Sequence, residues 1–227
     1  MAVSDTTIRH YTESDPDVRL MLRVRDDDAA AFGELVARHQ DRLVSVLTYQ
    51  VGRRELAEEL AQETFLRVYK ARDRYEPGAK FTTWLFTIAN NLALNAKRGL
   101  ARKKEVRLAA NRPDETGVAA PHPTAASAAM PTRVADRTEL RDAVQAAIAT
   151  LSERQRTAVL LAKFEHMEYV EIGDVLGMTD KAVKSLLARA REKLRLALGP
   201  YIERGESIPG LTDAEHAATQ AYNGEDE

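Results

Sequence analysis

The densest chemistry in the sequence is basic. Residues 181–195 hold six bases, Lys181, Lys184, Arg189, Arg191, Lys193 and Arg195, against one acid, Glu192. On a helix this is a positive stripe suited to duplex phosphates. It continues from a helix-turn-helix pattern. Ile172, Val175 and Leu176 give a two-turn helix its apolar face, and Gly177 permits the left-handed turn. Thr179 caps the next helix, which Val183, Leu186 and Leu187 pack back onto the first. Thr179, Asp180, Lys181, Lys184 and Ser185 then stand where a recognition helix reads base edges, with Arg189 and Arg191 further along.

A second basic stretch is mixed with rings and amides. Residues 77–104 carry Lys80, Lys97, Arg98, Arg102, Lys103 and Lys104 and no acid, with Asn90, Asn91 and Asn95 among them. Tyr75, Phe81, Trp84 and Phe86 lie at or before its start. Charge for a backbone, rings for stacking and amides for base edges are what single-stranded nucleic acid requires. The competing reading is structural. Phe81 and Trp84 fall on an apolar stripe and suit a core, whereas Phe86 lies off it, in a position open to solvent or to the first helix.

A third stretch is acidic. Glu55, Glu58, Glu59, Gln62 and Glu63 occupy adjacent turns, within reach of Asp41 on the preceding helix, either as a solvated face or as a docking surface for a basic protein. The five His are scattered, Cys is absent and no nucleotide, metal or nucleophile motif occurs. No catalytic residue, metal site or cofactor is expected, and the chain reads as a non-enzyme.

These groups must be positioned by helices. Gly 11 and Pro 8 are few in 227 residues, which favours an all-α fold. Residues 1–14 are polar and read as a flexible N-terminus. Residues 15–110 read as helices: one capped by Asp28 and stopped by Gly52, one near 55–72, and one near 81–104. Residues 111–136 hold Pro113, Pro121, Pro123 and Pro131 with little apolar content, a flexible linker. Residues 137–199 form the second domain, where Ser152 and Gln155 make a capping box and Gly199-Pro200 ends the last helix. The expectation is two small helical domains joined by a flexible linker, the C-terminal one a helix-turn-helix.

Charge is uneven. The chain is −2 in sum, but residues 201–227 alone are −6, leaving +4 on the rest. A basic body with an acidic C-terminal extension, 200–227, points to a nucleic-acid partner. The extension reads either as a solubilising terminus or as a competitor for the adjacent basic helix. No apolar run spans a membrane and residues 1–20 lack a signal's apolar region, so no membrane insertion and a cytoplasmic, nucleoid-associated place are expected.

The run Ala57-Glu-Glu-Leu-Ala-Gln-Glu-Thr-Phe-Leu-Arg-Val-Tyr, followed by Tyr75-Glu-Pro-Gly-Ala-Lys-Phe-Thr-Thr-Trp-Leu-Phe-Thr-Ile-Ala-Asn-Asn, resembles conserved region 2 of bacterial sigma factors. Leu151-Ser-Glu-Arg-Gln-Arg-Thr-Ala-Val-Leu-Leu with the helix-turn-helix after it resembles region 4. The layout is similar to the extracytoplasmic-function group of the sigma-70 family, over about residues 16–110 and 137–198. The resemblance implies a subunit that binds core RNA polymerase and directs it to promoters. Region 2 would capture melted DNA of the minus-ten element and region 4 would read the minus-thirty-five element as duplex. It implies a polymerase surface of Asp41, Glu59, Gln62, Glu63 and Leu66. It implies a minus-ten surface of Tyr75, Lys80, Thr82, Thr83, Trp84, Asn90, Asn91 and Asn95, with Lys97 and Arg98 beside it. Thr87-Ile88 stands where primary sigma factors carry a tandem tryptophan wedge. An anti-sigma factor is a further partner the family allows. The alternative is a conventional helix-turn-helix regulator that binds duplex operators without polymerase.

Overall fold

In the computed structural model the described residues are 3–110 and 143–202, with side chains described for 3–102 and 143–199. Helices follow in the order α1 (Asp5–Ser14), α2 (Pro16–Arg25), α3 (Ala29–Val51) and α4 (Arg54–Lys70). A 3-10 turn (Arg72–Arg74) leads to α5 (Phe81–Ala110). A helical segment α6 at 143–149 precedes α7 (Glu153–Phe164), α8 (Tyr169–Leu176) and α9 (Asp180–Ile202). The described residues contain no strand, in agreement with the all-α reading. The linker and the acidic extension beyond residue 202 lie outside the described residues.

Local signals set most of the boundaries. The Asp28 carboxylate accepts from the N–H groups of Ala30 and Ala31 and opens α3. Gly52, at φ 77°, closes it, and Thr48 accepts its N–H. Ser152 and Gln155 form the reciprocal capping box of α7, at 3.4 and 3.1 Å.

Two boundaries differ from expectation. The N-terminus is not loose: α1 is capped by Ser4, which accepts from the Thr7 N–H. It buries none of its residues fully, and its few apolar side chains, of which Tyr11 packs against the core, are too sparse to mark it in the sequence. Its anchor lies outside it: the Arg19 guanidinium of α2 donates to the carbonyls of Thr12 and Glu13. At the other end, α9 runs past Gly199-Pro200 to Ile202. Gly199 does not take the left-handed conformation that would cap the helix there.

The first domain packs α3 on α2 and α4, with α5 against α4 and α3. Its centre is Met21, Leu35, Leu43, Leu47, Phe81 and Leu85, each fully buried and each contributing about 1.5–3 kcal/mol. In the second domain α7, α8 and α9 pack on one another. The face Val183, Leu186, Leu187, Ala190, Leu194 and Leu198 of α9 is buried at helical spacing. The domains meet along a seam where α5 lies on α8 and α3 on α7, and the apolar core is continuous through both.

Candidate nucleic-acid interface

The helix-turn-helix is built by a close backbone approach. The Met178 N–H donates to the Gly173 carbonyl at 2.8 Å, and Gly177 turns the chain at φ 63°. A Cβ on Gly173 would stand 2.5 Å from the Met178 carbonyl oxygen, so only glycine fits. The sequence reading credited Gly177 and passed over Gly173; a glycine inside a strongly apolar short helix was the available signal. Thr179 accepts from the Ala182 N–H at 3.3 Å and caps α9.

Thr179, Asp180, Lys181, Lys184, Ser185, Arg189 and Arg191 are all exposed on the first half of α9. Among the described residues no carboxylate pairs with Lys181, Lys184, Arg189, Arg191 or Lys193. Arg189 folds back toward Ser185, 3.4 Å from its carbonyl, and Arg191 approaches the Tyr169 hydroxyl at 3.5 Å. Arg195 is different, being held by Glu192 at 2.8 Å. The open stripe therefore runs from Lys181 to Lys193 and stops short of Arg195.

The second surface lies on α5, whose start is fixed from a distance. One carboxylate, Asp15, opens two helices: Oδ1 accepts from the Asp17 N–H of α2 and Oδ2 from the Phe81 N–H of α5, both at 2.9 Å. Lys80, Asn91, Asn95 and Arg98 are exposed, and Thr82, Trp84 and Lys97 are half-buried. Tyr75, Thr83 and Asn90 are not at the surface. Tyr75 is 5% exposed, with its ring 4.8 Å from that of Trp84. Burial, with Asp15 and Asp17 nearby, pushes its hydroxyl well above the ordinary range. Thr83 is buried with its hydroxyl unpartnered. Phe86, a candidate for exposure, is 3% exposed and completes the core. The aromatics act chiefly as the packed base of the surface, with Trp84 as the half-buried ring.

Asn90 is covered by the second domain. Thr157 of α7 lies 3.5 Å from its carbonyl oxygen, and Gln50 of α3 donates to Thr157 at 2.9 Å. Lys80 pairs with Glu171 at 2.8 Å, and that contact raises the lysine above its ordinary value. Lys97 pairs with Glu153 at 2.7 Å. Arg156 joins α6 to α3, donating to the carbonyls of Ile148, Ala149 and Gln50. These partners are far apart in sequence, and no motif announces them.

The third surface is a groove of 1420 Å³ between α3, α4 and the end of α7. Asp41, Gln62 and Leu66 line it, with Phe32, Tyr69 and Phe164 as its apolar part. Glu59 and Glu63 lie on the same stripe of α4 outside the groove, Glu63 bonded to Arg67 at 2.8 Å. Leu66 is 44% exposed and Tyr69 37%, so α4 presents an apolar crest among carboxylates.

Residues 35–103 match the family Sigma-70 region 2, and residues 141–194 match Sigma-70 region 4. The RNA polymerase sigma factor CarQ of Myxococcus xanthus is 38% identical over 179 residues, which cover 79% of this chain and 95% of CarQ. The ECF RNA polymerase sigma factor SigW of Bacillus subtilis is 30% identical, over 78% of this chain and 93% of its own. Among solved structures, CnrH in complex with the cytosolic domain of CnrY superposes with a TM-score of 0.61 at 25% identity. That match covers 82% of this chain and 99% of the other.

Proposed function

Since the chain belongs to the extracytoplasmic-function group of the sigma-70 family, and is a transcription initiation factor that directs RNA polymerase to promoters, we propose that its two DNA surfaces divide by strand state. The first domain, residues 15–110, captures melted minus-ten DNA along α5. The second, 137–199, reads minus-thirty-five duplex with the start of α9, and the linker 111–136 sets the reach between them. The observation that carries this division is the contrast between the two surfaces. On α9 five exposed bases stand without carboxylate partners among the described residues. On α5 the exposed amides of Asn91 and Asn95 accompany a half-buried tryptophan, Trp84. The first suits phosphates flanking a major groove, the second unstacked bases.

The acidic, apolar-crested face of α3 and α4 is the proposed seat of core polymerase, through Asp41, Glu59, Gln62, Glu63 and Leu66. An anti-sigma factor is the second proposed protein partner, held by the same groove. The chain supplies no catalytic group of its own and acts at the nucleoid.

Run-off transcription with core enzyme tests the division. A promoter carrying a pre-melted minus-ten bubble should rescue α5 variants and leave α9 variants defective. Rescue of both, or of neither, overturns it. Specific duplex binding by the chain alone, with no response to core enzyme, would favour the conventional regulator.

A further inference from the structure

We propose that α1 braces the turn at residues 75–80 and so sets where Lys80 and Thr82 meet the melted minus-ten strand. The inference rests on the reading of α5 as the strand-binding surface. α1 leans on the first domain along one stripe. Val3, just ahead of the helix, then Thr7, Ile8, Tyr11 and Thr12 on it, and Asp15, just beyond it, are half-buried at helical spacing. The two ends of that stripe meet the turn that opens α5. At one end the Val3 side chain lies against Gly78, where an added Cβ would stand 3.1 Å from Val3 Cγ2. At the other end Asp15 Oδ2 accepts the Phe81 N–H at 2.9 Å. Gly78 and Phe81 are three residues apart, so one helix holds both the crest of the turn and its exit.

The turn needs this support. Among the described residues, segment 76–80 closes on itself with one backbone hydrogen bond, from the Gly78 N–H to the Glu76 carbonyl at 2.8 Å. That makes a three-residue turn with Pro77 at its centre, where the fixed φ of proline suits it. Tyr75 and Pro77 are buried, while Glu76, Gly78 and Lys80 are exposed. Gly78 brings no side chain of its own to pack and leaves the backbone free to vary. α1, by contrast, is fixed at both ends. Ser4 caps its start, and Arg19 of α2 donates to the carbonyls of Thr12 and Glu13 at 3.1 and 2.9 Å. A pliant turn against a fixed helix takes its place from the helix. Val3 and Asp15 are thereby positioning residues for the start of α5.

The test uses holoenzyme assembled from the full chain and core polymerase, titrated with fork-junction DNA in which each minus-ten base is varied in turn. Val3→Ala and Asp15→Asn are compared with Lys80→Ala and Thr82→Ala. The first pair should narrow the ratio between best and worst base about three- to fivefold, at the positions that the second pair also affects. Affinity for core polymerase and for minus-thirty-five duplex should stay unchanged. Gly78 does not take the left-handed conformation, so the methyl of Gly78→Ala meets the Val3 side chain and no backbone penalty. Gly78→Ala should disturb the base ratios, and adding Val3→Ala should restore part of them, a coupling that only a working contact produces. Asp15 also caps α2; should Asp15→Asn melt the chain, Val3→Ala and the Gly78 cycle still decide. Base ratios unchanged in Val3→Ala, or Val3→Ala and Gly78→Ala effects that simply add, overturn the brace. So does an equal loss at every base together with weaker core binding, which marks a structural role alone. Base ratios that Lys80→Ala and Thr82→Ala leave unchanged overturn the reading of the α5 start, and the brace with it.

Discussion

Glu165 of the second domain meets Arg42 of the first at 3.1 Å, and its side chain is 1% exposed. The same guanidinium donates to the Phe164 carbonyl at 3.0 Å, so it grips the end of α7 twice. Neither Glu165 oxygen has a well-formed hydrogen bond. Burial therefore dominates and pushes the carboxyl above its ordinary value, against the smaller opposing pull of Arg42 and His39.

A carboxyl that holds its proton more tightly when folded lowers stability once it ionises. Stability contributed at this site should fall as pH rises through the carboxylate range, above about 4.5. Glu165→Gln should raise the thermal midpoint at neutral pH and lose that advantage in acid. Melting curves across pH check it; a variant less stable at neutral pH would show that the Arg42 ion pair outweighs burial.

Asp17 behaves oppositely. Burial would raise it, but the hydrogen bond with His39 at 2.8 Å and the contact with Arg38 outweigh this and hold it below its ordinary value. Its stabilisation is present above about pH 4 and is lost as pH falls through the lowered folded value. Asp17→Asn should cost about 1.5–3 kcal/mol at neutral pH, read by urea melts, with the gap closing in acid.

Gly173→Ala should destabilise the second domain by about 1–3 kcal/mol, because the added methyl meets the Met178 carbonyl at 2.5 Å. Duplex minus-thirty-five binding by holoenzyme should fall, while capture of core polymerase through the first domain persists. A melt identical to that of the parent chain would refute the steric account.

Alanine at Lys181, Lys184 or Arg189 should weaken promoter binding. Where the lost contact is to phosphate, the salt slope should drop by about one unit and all sequences should suffer alike. Where it is to a base, the loss should be about 1–3 kcal/mol at one position. Titrations over a salt series with point-mutated promoters separate the two.

Asn90 and Asn91 should part company despite being neighbours. Asn91 is exposed and Asn90 sits beneath Thr157. Asn91→Ala should slow open-complex formation with unchanged closed binding. Asn90→Ala should also alter the free chain, loosening the seam. Permanganate footprinting together with energy transfer across the domains distinguishes them.

Features whose partners lie within four residues were legible in the sequence. Asp28, Gly52, the Ser152–Gln155 box and Gly177 act on their immediate neighbours, so type and spacing identify them. The apolar face of α9 was readable for the same reason. The polymerase and minus-ten residue sets came from family resemblance, whereas the helix-turn-helix pattern itself marked the start of α9; burial re-sorts the minus-ten set and leaves the α9 residues exposed. Tyr75 and Thr83 are indistinguishable by type from surface residues, and only the packing of Trp84 and the first domain hides them. Phe86 was misjudged because α5 is enclosed on more than one side, which widens its buried arc beyond a single stripe. The ion pairs of the seam join residues on separate domains, and no periodicity encodes them.

The double duty of Asp15 has a mechanical consequence. One side chain ties the starts of two helices together, so neither first turn can unwind without releasing the other's partner. Asp15 pins the first turn of α5 from 66 positions upstream. Further along, the buried Leu85 and Leu92 hold the helix in phase by themselves. The junction of α1 and α2 thereby works as a clasp on the start of α5, the end beside Lys80 and Thr82.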